Sequence, residues 1–587
     1  MSRSHSDFIA RCDNPPACPQ GWNAGRVVLL GAVLSLLGGC QSGVAPVAER
    51  PSSRPWLESL PADRALAFAH HSEPVGSYQY HRVIGSGVGL IDVNNDDRLD
   101  VICLTNAGPE SNHRHAVYLQ QSDGRFRDMA DESGLGRGGW GQGVAAGDIN
   151  NDGWVDLCIT ETDRTRVYWN RRGRFEELDD TRGVVNPNWG LSAAFADLDR
   201  DGWLDLVVGN YLETAPDREC THLSGGADFC GPHHFPPVAS RWFRNLGPDD
   251  EGRPRFEDQT QASGWANHPG KAMGVWCADF NDDGWCDVFF ANDSVPNTLF
   301  INRQDGTFGE EAATRGVAVA GMGRPEANMG VAVGDADGNG LFDLFVTHLV
   351  SEDHRLWRQA PVGLFSDGTA RARLASTANR GTGFGTVFAD FDNDGDQDLA
   401  IAQGAVLQER GGPGSTASPG FWQPYGQRNV LLENRGGAFA DRSREEPALC
   451  ASPGVHRGLA WGDLDGDGGV DLVVSEVDGP VRVLRNVAEN RGHWVTIRAV
   501  DPRSRRDAHG AVITLTGLPA GRVFRQTIQP GGSYASSSQP AVHFGLGELD
   551  RPPGCEVRWP DGLVERFALP AVDCRHELRR GTGVSEP

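Results

Sequence analysis

One nine-residue pattern, Asp-x-[Asp/Asn]-x-[Asp/Asn]-Gly-x-x-Asp, occurs seven times along the chain, beginning at Asp92, Asp148, Asp197, Asp279, Asp335, Asp390 and Asp463. A unit that recurs at an interval of about 50 residues marks an array of one supersecondary motif, each copy burying its apolar face against the next. The spacing has a metal chemistry. Calcium takes six to eight oxygen ligands, and alternate residues of a curled loop point inward. Positions 1, 3, 5 and 9 therefore face one ion, and position 6 makes the sharp turn, with Asp97 the sole departure from Gly there.

The expected ligands are Asp92, Asn94, Asp96 and Asp100; Asp148, Asn150, Asp152 and Asp156; Asp197, Asp199, Asp201 and Asp205; Asp279, Asn281, Asp283 and Asp287; Asp335, Asp337, Asn339 and Asp343; Asp390, Asp392, Asp394 and Asp398; and Asp463, Asp465, Asp467 and Asp471. An EF-hand would need a bidentate Glu at position 12 and flanking helices. Position 12 is instead Cys103, Ile159, Val208, Phe290, Val346, Ile401 and Val474. The loops are thus of the strand-loop-strand kind, with calcium as the expected cofactor.

Small and apolar residues alternate before each loop, as in GQGVAAGD and GFGTVFAD, the signature of a strand. A second strand follows the loop, then an aromatic-bearing third strand ending near Asn (VYWN, RWFRN, TLFIN, VLLEN), then a Gly-x-Phe segment. Four strands per repeat give an all-β fold. With 76 glycines the chain has the turn composition such a fold needs.

This pattern resembles the FG-GAP or VCBS repeats of integrin-α-type propellers. The resemblance implies a seven-bladed β-propeller with calcium loops over residues 65–488. The seventh copy supplies three strands of its own, so residues 65–71 are expected to add the outermost strand of the last blade and close the circle. Beyond it, the segments HFGLG (543–547) and WPDG (559–562) resemble the ASPIC/UnbV domain, with His509 where that family has an aliphatic residue. Residues 489–580 are therefore expected to form a small β-sandwich-like domain. The family's bacterial members carry a cysteine pair in the third-blade insert, which implies a Cys220–Cys230 disulfide here; Cys555 and Cys574 are a second candidate pair.

At the amino terminus Arg26 precedes an apolar run, Val27 to Leu37, that is too short to span a bilayer and fits the core of a signal peptide. It ends in Leu37-Gly38-Gly39-Cys40, which resembles the lipobox of bacterial lipoproteins. That resemblance implies a signal peptide over 1–39, lipidation of Cys40, a flexible tether over 40–64, and a place on the outer membrane or cell surface.

The formal net charge of −25 excludes nucleic acid as a partner. There is no G-x-S-x-G and no H-E-x-x-H. A carboxylate that holds calcium stays ionised and is a poor proton shuttle. The expectation is a lipid-anchored, calcium-binding surface protein that recognises a protein or glycan ligand through its propeller face or its third- and sixth-blade inserts, with no catalytic residues assigned. The alternative is a calcium-dependent enzyme acting on surface polysaccharide.

Overall fold

Alternating apolar strands broken by acidic turns can bury themselves only as sheets packed face to face, and the computed structural model of the protein is all-β. It describes residues 54–73, 76–213, 220–221, 225–376, 380–408 and 420–585. The expected signal peptide, Cys40 and the first part of the tether lie outside these residues. Residues 52–587 form one compact unit.

Each acidic loop joins the first and second strands of an antiparallel sheet. Sheet 2 is typical: Gly141–Gly147, Asp156–Glu161, Thr165–Asn170 and Phe175–Glu177, in that order. The same plan recurs from Val88–Ile91 (sheet 1), Trp189–Ala196 (sheet 3), Ala272–Ala278 (sheet 4), Val331–Gly334 (sheet 5), Gly383–Ala389 (sheet 6) and His456–Gly462 (sheet 7). The first strands touch in sequence order, and the first strand of sheet 7 touches that of sheet 1. Between neighbouring sheets lie separate apolar clusters, such as Ile102, Val144, Ile159 and Tyr168 between sheets 1 and 2.

Sheet 7 takes its outermost strand from the other end of the chain, but not from the expected segment. Leu57–Ser59 pairs with Arg482–Asn486, Leu57 opposite Asn486. Residues 65–71 instead run past the sheet's edge, making one bridge from Ala69 to Pro480 and burying Leu66 and Phe68. The reason is local chemistry. The buried carboxylate of Glu446 accepts the backbone N–H groups of Trp56 and Leu57 (2.8–3.0 Å), and Trp56 packs on Phe391. The expected tether therefore gives way to packed chain well before residue 64.

Residues 493–585 build two further sheets. One holds His493–Asp501, Arg506–Asp507, Val542–Gly547 and Cys574–Arg579, with Cys574–Arg579 parallel to the long strand. The other holds Val512–Thr516, Phe524–Thr527, Gly554–Arg558, Val564–Ala568 and Val584–Ser585. Their inner faces share one core that includes Val495, Ile497, Ile513, Leu515, Val557 and Trp559. Cys555 and Cys574 sit on different sheets, Cys574 beside Val495 and Cys555 opposite Leu515, and no bond joins them. The Cys220–Cys230 bond is present.

The segment between Gln529 and Gln539 leaves this module and enters the space ringed by the seven first strands. Ser533 exchanges two backbone hydrogen bonds with Val331 of sheet 5 (2.8 and 2.9 Å). Val144 N–H of sheet 2 donates to Ala535 O (3.0 Å), and Ser192 Oγ of sheet 3 accepts from Ala535 N–H. Sheet 6 reaches Ser533 Oγ from Thr386 N–H, sheet 7 reaches Ser538 Oγ from Trp461 N–H, and Ser537 pairs in parallel with Gly89 of sheet 1. Gln529 Nε2 donates to Cys277 O of sheet 4. The fit explains a glycine: a Cβ on Gly87 would lie 1.6 Å from Ala535 O.

Candidate metal centres and an aromatic cap

Within each acidic loop the position 1 carboxylate organises the turn. Asp148 accepts Asp152 N–H on Oδ1 (3.1 Å) and Gly153 N–H on Oδ2 (2.7 Å). Asp279, Asp335 and Asp390 do the same for their own loops. Asp97 fits without glycine because Asp, like Asn, tolerates the left-handed region; its φ is 63°.

Carboxylate oxygens converge within 4.8 Å of one another at Asp197/Asp199/Asp201, Asp335/Asp337/Asp343, Asp390/Asp392/Asp398 and Asp463/Asp465/Asp471. In the loops carrying Asn at position 3, the amide turns to position 5: Asn94, Asn150 and Asn281 donate to Asp96, Asp152 and Asp283 at 2.9–3.0 Å. The amide oxygens of Asn150 and Asn281 each accept one position 5 N–H (3.3 and 3.2 Å) and keep a second lone pair, while Asn94 Oδ1 has no donor. Four buried acceptors in these loops have no hydrogen-bond donor: Asn94 Oδ1, Asp197 Oδ1, Asp337 Oδ1 and Asp392 Oδ1. A buried oxygen without a donor is costly, and a hard cation supplies the missing partner. The residues present therefore fit calcium. Burial also pushes the carboxyls of Asp148, Asp197 and Asp394 up to about 7 and that of Asp335 to about 6, the cost of collecting acids out of water without a cation.

Position 9, an expected ligand, has a structural role of its own. All seven of these Asp residues are buried. In every sheet one oxygen accepts the N–H of position 2 and the other the N–H of the residue ending the third strand. For Asp205 these donors are Leu198 (3.2 Å) and Asn245 (2.8 Å); for Asp100 they are Val93 (3.0 Å) and Gln120 (2.9 Å).

The strand-ending side chain then crosses to the neighbouring loop. Asn170 Nδ2 donates to Val93 O, Asn245 to Ile149 O, Asn302 to Leu198 O, Gln359 to Phe280 O, Asn434 to Ala336 O and Asn486 to Phe391 O (2.7–3.1 Å). Gln120 Nε2 donates to Leu464 O (2.9 Å), joining the first sheet to the last loop. The carbonyls all belong to position 2. Each loop is thereby tied to its own sheet through Asp and to the next sheet through Asn or Gln. The sequence shows the strand ending in Asn, but not its partner, which is 77–104 residues away, or 344 for Gln120.

Models of known families match the same segments. Residues 92–159, 148–208 and 279–346 match the FG-GAP-like repeat, and residues 501–585 match the ASPIC and UnbV family. The chain carries FG-GAP-like repeats followed by an ASPIC and UnbV domain. It is similar to cartilage acidic protein 1 of Homo sapiens, 29% identical over 345 residues (56% of this chain, 48% of the relative), and of Xenopus tropicalis, 31% over 290 residues (47% and 40%). The chain thus spans about half the length of the curated relatives it matches. A solved Agrocybe aegerita lectin recognising non-reducing terminal N-acetylglucosamine aligns over 63% of this chain and 88% of its own, at 15% identity and a TM-score of 0.34, a likeness too low to carry an argument.

The ASPIC and UnbV domain meets the repeats at their acidic loops, chiefly through arginines. Arg558 pairs with Asp279 Oδ2 (2.9 Å) and Asp282 (2.8 Å), and Arg575 with Asp463 Oδ2 (3.2 Å). Buried Arg506 bridges loops 2 and 3, donating to Asn151 Oδ1 (2.9 Å) and Gly202 O (3.2 Å). His509, the departure from the family pattern, is buried in the same contact, and burial pushes its imidazole down to about 3.

At the opposite end of the repeats, where second strands turn into third strands, the long inserts of sheets 3 and 6 come together. Asp228 accepts Tyr425 OH (2.7 Å) and Gln408 N–H (3.1 Å), and the Phe229 ring stacks on Trp422 at 5.8 Å. Tyr78, Phe235 and Phe421 rim this cluster, partly exposed. Beneath it Tyr80, Tyr211 and Asp293 form a buried chain of hydrogen bonds, each 2.6 Å. His113 stacks on His71, and the rings of His233 and His234 lie 4.0 Å apart at an angle of 42°. Among the described residues no helix is long and apolar enough to cross a membrane.

Proposed function

We propose that the seven sheets are the blades of a calcium-loaded β-propeller, exported and anchored through a lipid on Cys40, that recognises a glycan or protein ligand with the aromatic cap. The observation that carries the binding reading is the convergence of the third and sixth inserts. The loop end is covered by the ASPIC and UnbV domain, and the central space is filled by residues 529–539. Among the described residues the cap carries partly exposed aromatic rings beside buried polar groups, the usual make-up of a recognition site. The cyclic run of contacts between first strands supports the propeller, and the donorless loop oxygens support calcium. The apolar run ending in Leu37-Gly38-Gly39-Cys40 supports the anchor.

The test is binding of the calcium-loaded protein to an array of polysaccharides and glycoproteins, with Phe421→Ser and Tyr78→Ser in parallel. Ligands that both variants lose support the cap; ligands retained by both refute it, and new chain ends in a bound polysaccharide would favour the enzyme. Calcium is tested by melting in excess EGTA, where a large fall in Tm is expected and an unchanged melt refutes it.

A further inference from the structure

Two cysteines frame the fourth acidic loop. Cys277 is the next-to-last residue of the first strand of sheet 4, two residues before Asp279, and Cys286 immediately precedes Asp287. The register places Ala278 opposite Asp287 and Cys277 opposite Val288. Continuing it sets Cys286 opposite Asp279. Side chains two residues apart share a face of a hairpin, so the two thiols lie on the same face. Both belong to one apolar cluster between sheets 3 and 4: Cys277 is fully buried there and Cys286 packs against it. Both are free thiols in the structure, and the Cys277 thiol is the first of the groups that push the Cys286 thiol up.

The redox setting is already written into the chain, because Cys220 and Cys230 are joined and such bonds persist in oxidising compartments. We propose that Cys277 and Cys286 form a second disulfide, a covalent staple across the two ends of the fourth loop. One thiolate attacks a donor disulfide, that of an oxidoreductase or of oxidised glutathione, giving a mixed disulfide. The second thiolate then displaces the donor's remaining sulfur. Two thiol protons and two electrons leave the chain, and the donor ends as two thiols. The bond forms while the exported chain folds, before Cys277 is covered. It constrains the turn that presents Asp279, Asn281 and Asp283, whether or not an ion is held there.

Residues 272–303 form a single tryptic peptide that contains both thiols. Protein recovered from the bacterial periplasm is denatured with an alkylating agent and no reductant, digested and weighed. The expected peptide is lighter by two hydrogens and carries no alkyl group, and it takes up two alkyl groups after reduction. In Cys286→Ser the same peptide takes up one without reduction. Two alkyl groups on the unreduced wild-type peptide, in protein whose Cys220–Cys230 bond is intact, would overturn the proposal.

Discussion

Replacing Asn245 by Ala cuts the ring of crossing hydrogen bonds at one place while leaving every metal ligand intact. The Asn245 side chain donates to Ile149 O at 2.7 Å and to Leu204 O at 2.9 Å, and its Oδ1 accepts Gly247 N–H at 2.9 Å. The residue is fully buried, so water cannot take over these roles without opening the sheet. Three hydrogen bonds at about 1 kcal/mol net each, plus the penalty for buried groups left unpaired, give a destabilisation of about 3–5 kcal/mol. Asn245→Gln should recover much of this, because the protein places Gln120 and Gln359 in the same role in sheets 1 and 5. Asn245→Asp should be worse than Ala, since it removes both donated hydrogen bonds and buries a charge against carbonyl oxygens. The assay is urea unfolding in saturating calcium, followed by tryptophan fluorescence. An Ala variant within about 0.5 kcal/mol of wild type, or a Gln variant no better than Ala, would refute the ring as a stabilising element.

Removing residues 1–53 should leave the melt unchanged. Removing 1–60 takes away the closing strand Leu57–Ser59 and the two N–H groups held by Glu446, and should lower Tm sharply and cause aggregation through the bare edge of sheet 7; equal melts would contradict the closure. His70 and His354, both away from the acidic loops, have their imidazoles pushed down to about 4, first of all by burial. Their folded pKa lies below the unfolded value of about 6.5, so their contribution is fully present above pH 6.5 and is lost as pH falls toward 4, by about 1.4 kcal/mol per histidine per pH unit. In saturating calcium, which keeps the loop carboxylates ionised, the drop in denaturant midpoint from pH 7 to pH 5 should be smaller in His354→Asn than in wild type; an equal drop would contradict the assignment.

The local grammar of the chain was legible without coordinates. Period-two strands, the Gly or Asp turn at position 6 and the apolar position 12 are set by neighbours within ten residues, and backbone geometry alone translates them into strand, loop and strand. The all-β fold, the four-strand unit and the Cys220–Cys230 bond follow from that grammar and from the family it resembles. Contacts between distant segments were not legible. That Leu57–Ser59, rather than residues 65–71, completes sheet 7 depends on Glu446, nearly 390 residues away. That a run of Gly and Ser in the last domain should thread the seven first strands depends on gaps those strands leave only once assembled. The position 9 Asp reads in sequence as one more ligand; only the fold shows each one also pinning two backbone amides, because the donors come from a strand end and a loop that meet in space. The sequence determined which atoms each repeat can offer to a cation, and tertiary packing decided which of them lack any other partner.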